Sequence, residues 1–297
     1  MKHAATTAVL MVLATACGGP RATEHPQAAA TAPLSLAADA VMIAIPAGNF
    51  ISGSTPEERA FAYDDYLATS GRDTAREKQW FDHEEDRRLV EIPAFRIDLL
   101  PVTQAQYAEM VTAGRAKPPM IDEAAWRAQG FAQDYATEVA RFVWRDGRPP
   151  VGREEHPVVL VTWAEADRYC AWRGALRDEK RRLPTAHEYE KASRGEGGLT
   201  YPWGNVFEPA RLNSAVNGPK DTTAVGTFVD GASPFGVLEM AGNVFVWTST
   251  AAEDSRMVVK GSAWEDFGGL GRGASGHARP KEARHVIVGF RCAADAT

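Results

Sequence analysis

Residues 156–205 read HPVVLVTWAEADRYCAWRGALRDEKRRLPTAHEYEKASRGEGGLTYPWGN, which scans as a buried turn, a helix, a Pro-marked corner, a second helix and an aromatic loop. Between Trp163 and Trp172, Trp163, Ala166 and Cys170 recur at helical spacing while Glu165, Asp167 and Arg168 fall on the other side, the pattern of an amphipathic helix. Leu183-Pro184-Thr185 then stops the chain and restarts it. Thr185 is placed to cap a second helix, and Glu188 three residues on completes a capping box in which side chain and backbone satisfy each other's orphan donors.

Around this stretch the composition is that of a loop-rich globular domain. The chain has 297 residues, 44% hydrophobic and 24% charged, enough to bury a full core, and its 26 Gly and 18 Pro argue against a helical bundle. A net charge of -6 with no polybasic run excludes a general nucleic-acid partner.

The first residues have their own logic. Lys2 and His3 precede the short apolar run 8–13, too short to span a bilayer but fitting a secretory signal over residues 1–16. The phrase LATACG, residues 13–18, resembles the lipobox of bacterial lipoproteins, so Cys17 is the expected lipidation site; ordinary secretion with an incidental Cys is the alternative. Residues 17–40, rich in Pro, Ala and Thr, then form a flexible tether, and the folded domain occupies residues 41–297. The expected location is the cell envelope, with attachment to membrane through the lipid, or else the periplasm or medium. Two cysteines remain, Cys170 and Cys292. They are read as buried structural thiols, with a disulfide as the alternative, and neither lies in a CxxC or other metal-ligand spacing.

Residues 41–54 alternate as a first strand, and residues 89–99 return to strand character. Between them, residues 56–88 are strongly charged and are expected to form an exposed helix or excursion. His83-Glu84-Glu85-Asp86 is read there as a solvated charge run rather than a metal cluster. A helix starts at Thr103, with Ala105, Tyr107, Ala108 and Val111 as its inner surface. Residues 114–155 carry Trp, Phe and Pro without a repeat and read as an insertion shaping one side of a surface. Further on, Asn213, Asn217 and Asp221 lie in a loop whose oxygen side chains suit either a turn network or a hard cation such as calcium.

Taken in order, PAGNFISGS, LPVTQAQYAEM, HPVVLVTWAEADRYCAW, RLPTAHEYEKASRG, YPWGN, SPFGVLEMAGNVFVWT, KGSAWEDF and GFRCA resemble the formylglycine-generating enzyme, or sulfatase-modifying factor, family. That resemblance implies an α+β, C-type-lectin-like fold with short strands, few helices and much irregular loop, and it makes residues 56–88 and 114–155 insertions on the core. The cysteine-oxidising members of the family hold copper with two cysteines; soft thiolates suit Cu(I), and the bound metal supplies the oxygen chemistry. Two and seven residues after Trp264, where those cysteines are expected, this chain has Asp266 and Gly271. Neither replaces a thiolate, so copper is not expected.

The resemblance also implies calcium, with Asn213, Asp221 and Asn243 as the candidate ligands. The Glu that the family's GNVWEW phrase supplies to one such site is Val246 here. In the region of the family groove lie Asp266, His277, Arg279 and His285, the candidate catalytic set. A carboxylate with two histidines can hold non-heme iron, whereas the plainer reading of His277 and His285 is exposed loop histidines. The expectation is therefore an exported, lipid-anchored domain of this family that has lost copper-dependent cysteine oxidation and binds a protein, peptide or surface ligand. The alternative is an oxidoreductase of the same family using another metal such as iron.

Overall fold

In the computed structural model, Met1 and residues 41–296 are described. Apart from Met1, the expected leader, the lipidation site Cys17 and the tether to residue 40 lie outside the described residues.

The anticipated first strand is two strands, β1 (Met42–Ile45) and β2 (Gly48–Ser52), and residues 89–99 divide likewise into β3 (Arg88–Ile92) and β4 (Phe95–Asp98). Each division falls beside a proline, Pro46 or Pro93, which has no N–H to give a ladder. The paired breaks let one antiparallel excursion serve two sheets: β1 pairs with β4, and β2 with β3.

Between these pairs run α1 (Pro56–Ser70) and α2 (Thr74–Glu77). The segment is docked rather than exposed, because Ala62, Tyr63, Tyr66, Ala75 and Phe81 bury themselves against Leu270. Glu84, from the acidic run, is buried in an ion pair with Arg272. A charged composition concealed a small aromatic core.

Next, α3 (Gln104–Thr112) carries the capping box Thr103/Gln106. It buries Tyr107 and Met110 together with Gln104, whose amide oxygen accepts the indole N–H of Trp144 at 2.8 Å. Ala105, Ala108 and Val111 are only half-buried, so the inner face is rotated from the expected one. Residues 114–155 hold α4 (Glu123–Ala128) and a π-helical turn, Tyr135–Val139, that passes into a 3-10 turn. This segment is more than an ornament on a surface: Trp126, Val139, Phe142 and Trp144 all enter the principal core.

The two helices of residues 156–205 form as expected: α5 (Trp163–Ala175), and α6 (Ala186–Arg194) behind β5 (Arg181–Arg182). Thr185 and Glu188 make the anticipated capping box. The strands that follow are β6 (Phe245–Ala251), β7 (Arg256–Lys260), β8 (Gly276–Pro280), β9 (Val288–Gly289) and β10 (Ala293–Asp295). One sheet orders β1-β4-β10-β5 and another β8-β7-β6-β9, in which only β6 and β9 run parallel.

Two interactions tie distant parts together. Cys170 and Cys292 form a disulfide, which corrects the free-thiol reading. Bridging residues 122 apart, it stabilises by about 4–5 kcal/mol in the chain-entropy account. Glu190, deep in the interior, accepts from Gly53 N–H at 2.8 Å, Arg194 at 3.1 Å and Lys260 at 3.1 Å. Burial pushes its carboxyl up, but Lys260 and Arg194 outweigh that and hold it below the usual range.

Candidate functional site

The site is built on β7, β8 and the loop 261–275 that joins them. Gly261 opens the loop with φ 78°, and a Cβ there would lie 2.6 Å from the Tyr189 hydroxyl, so only glycine turns the chain at this point. At Gly269 a Cβ would meet the Ala62 carbonyl at 2.4 Å, and this close approach seats α1 on the loop. Inside the loop, the Asp266 carboxylate accepts the Ala263 N–H at 2.7 Å, and its own carbonyl accepts from Ala215 N–H at 2.9 Å.

Asp266, Glu265 and Arg279 form one polar cluster with Gln133, whose amide donates to both Glu265 oxygens at 3.0 and 3.1 Å. Burial, reinforced by the neighbouring Glu265, pushes Asp266 up to about 7, against the opposing pull of Ala263 N–H and Arg279. Glu265 is raised by burial as well. The Arg279 guanidinium is lowered by burial while Asp266 works in the other direction. Arg279 Nε and Gln133 Oε1 are buried without a hydrogen-bond partner.

His277 and Arg279, two apart on β8, share a face of the strand. The His277 ring lies edge-on to Phe245 at 5.4 Å and Trp80 at 6.4 Å. His285 sits elsewhere, in an aromatic shell of Phe131 at 4.1 Å and Trp126 at 5.3 Å, with its Nδ1 accepting Ile287 N–H at 3.3 Å. Burial first, and Arg279 second, pushes both imidazoles down to about 3, so both are neutral at physiological pH. Neither is an exposed loop histidine. Arg279 acts on Asp266, His277 and His285 alike, but among the described residues no three His, Cys, Asp or Glu side chains gather as a metal-holding group.

Copper donors fare no better. Asp266 is a hard carboxyl titrating near neutrality, and Gly271 is an interior residue whose added Cβ would touch Ser262 Oγ at 3.2 Å and Ala241 Cβ at 3.4 Å. The cysteines among the described residues are joined to each other. Soft thiolate pairing for Cu(I) cannot be drawn from this set.

The calcium candidates do meet, but as a turn network. Asn213 Nδ2 donates to the Asp221 carbonyl at 2.8 Å and to Asn243 Oδ1 at 3.2 Å, and Asn243 Nδ2 donates to Glu239 at 3.0 Å. The Asp221 carboxylate is turned toward Arg153 and Arg141. Among these side chains Asn213 Oδ1 is buried without a hydrogen-bond partner. Val246, in place of the family's Glu, is fully buried with Ile97, Tyr189 and Met240.

Sequence reading missed Glu265, Gln133 and Trp80. Glu265 adjoins Asp266 in KGSAWEDF and was legible there; Gln133 and Trp80 come from the two segments that lacked any periodic signal.

Comparison with known proteins was consistent. Residues 28–296 match the sulfatase-modifying factor enzyme 1-like domain. Inactive C-alpha-formylglycine-generating enzyme 2 of Mus musculus is 31% identical, over 89% of this chain and 88% of its own. Hercynine oxygenase of Mycolicibacterium smegmatis is 34% identical over 61% of this chain and 42% of its own. Among solved structures, PvdO from Pseudomonas aeruginosa superposes with a TM-score of 0.64 at 20% identity, covering 86% of this chain and 94% of that one.

Proposed function

The chain belongs to the sulfatase-modifying factor family and has its α+β, C-type-lectin-like fold, and on that premise we propose that it is a non-oxidising member that binds a protein, peptide or surface ligand. The observation carrying this reading is the replacement of the copper thiolates by Asp266 and Gly271 while Cys170 and Cys292 are locked together. Likeness to a relative named inactive, over most of both chains, supports it. The ligand face is the polar cluster of Glu265 and Asp266 on the β7–β8 loop with Arg279 of β8 and Gln133, where Arg279 Nε and Gln133 Oε1 have hydrogen-bonding capacity that the protein leaves unused. Chelator-competition titration tests the metal half of the proposal: Cu(I) should not bind stoichiometrically, and one tightly held equivalent would sink it.

The proposed setting is outside the cytoplasm, with Cys17 lipidated and the domain held on a membrane by the tether. The disulfide supports an oxidising compartment. No helix among the described residues is long and apolar enough to cross a membrane. Cys17→Ser should release the protein from the membrane fraction or leave its leader uncleaved; native protein without lipid, starting elsewhere than Cys17, contradicts the anchor.

A further inference from the structure

A cavity of about 480 Å³ opens between the end of α3 and α5, lined by Tyr107, Arg115, Lys117, Glu165, Arg168 and Arg284 among others. Its charge runs against the net -6 of the chain. Arg284 is already committed, gripping Glu165 through two bonds of 2.6 and 2.8 Å. The side chains of Arg115, Lys117 and Arg168 make no hydrogen bond or ion pair with any described residue, so three cations face one cavity uncompensated.

Tyr107 supplies the fixed point. Its ring is buried, stacked on Tyr169 at 5.6 Å and edge-on to Trp144 at 6.2 Å and Phe290 at 6.3 Å. Its hydroxyl, within the field of Glu165, Arg284 and Arg168, bonds to no described residue. Burial, and then Glu165, pushes the phenol up, so it remains a proton donor. A buried donor held by aromatic packing and ringed by unspent cations is arranged for an anion. Guanidinium forks fit carboxylates and phosphate-type oxyanions alike, bonds to such charged acceptors are stronger than neutral ones, and three cations favour the more highly charged anion.

We propose that this cavity binds a phosphate- or sulfate-type oxyanion, with Tyr107 donating from the floor and Arg115, Lys117 and Arg168 supplying counter-charge. The volume lies in the range of small-molecule sites, which leaves room for an organic group bearing the oxyanion. This inference stands apart from the ligand face at Asp266 and Arg279, and either can fail without the other.

Titration calorimetry of the intact protein at fixed ionic strength tests it, with phenyl phosphate, inorganic phosphate, inorganic sulfate and acetate as probes. The phosphates and sulfate should bind saturably, and singly charged acetate should bind more weakly. Tighter binding of phenyl phosphate than of inorganic phosphate would identify an ester as the ligand class, and equal binding the free ion. Arg168→Ser and Tyr107→Phe should each weaken phosphate binding by about tenfold or more. Exposed Arg168 and Lys117 can be replaced without disturbing the core, so a Lys117→Ser, Arg168→Ser pair decides the matter even if Tyr107→Phe misfolds. Unchanged phosphate affinity in that pair, or acetate bound as well as phosphate, overturns the proposal.

Discussion

Trp247→Ala should cost about 3–5 kcal/mol, the range for deleting a large buried aromatic side chain, and lower the melting temperature by roughly 6–20 °C for a domain of this size. Trp247 is completely buried on β6, where its indole N–H donates to the Val161 carbonyl at 3.1 Å. Truncation opens a cavity at the centre of the principal core and strips a buried carbonyl of its donor, two costs that fall at one place. Trp247→Phe retains most of the volume and loses the bond, so its penalty should be the smaller. Thermal melts of the three proteins check the order. An unchanged midpoint for Trp247→Ala would mean that β6 does not belong to the cooperative core.

The other tryptophans of the family phrases are not equivalent. Trp264 is buried, although its indole N–H has no partner. Trp203 is half-exposed, stacked on Tyr201 at 5.4 Å, and donates to the Val206 carbonyl at 3.0 Å within its own loop. Proximity to a Pro or Gly corner therefore does not rank burial. What separates them is the neighbourhood: Trp247 sits within a sheet covered on both sides, and Trp203 at the rim of a loop.

What could be read from the chain followed the range of the interaction. The capping box at Thr185 spans three residues and was visible in the letters, as was the helix start at Thr103. The proline interruptions at Pro46 and Pro93 went unread in segments taken as single strands, and their consequence, one excursion shared between two sheets, depends on pairing across the α1–α2 segment. The Cys170–Cys292 bond depends on residues 122 apart, and no local feature tells a bonded cysteine from a buried thiol. Glu190 is an extreme case: beside Arg194 on its own helix, its partners Gly53 and Lys260 lie 137 and 70 residues away, and nothing in EKASRG marks the carboxylate as interior.

The candidate site divides the same way. Loss of the copper thiolates could be read directly, because it concerns which residues occupy two positions. The state of the groups that remain could not. His277 and His285 are made neutral by aromatic neighbours from β6 and from the segments 56–88 and 114–155, and Asp266 is raised by burial and by Glu265. The turn network at Asn213 was foreseen as one of two options, and the guanidiniums of Arg153 and Arg141 on Asp221, supplied by a segment read as peripheral, decide how its carboxylate is used.

The central claim is that this fold is retained without copper-dependent oxidation of cysteine. Formylglycine formation needs thiolates that hold Cu(I) beside the substrate cysteine, and here one position offers a carboxyl and the other no side chain at all. The decisive measurement is aldehyde release from a sulfatase-type cysteine peptide, incubated in air with copper-treated protein and, in parallel, with the same protein stripped of metal. The account predicts that the two samples release no aldehyde above the peptide alone and do not differ from each other. Aldehyde that accumulates with turnover in the copper-treated sample, above the metal-free control, would contradict it.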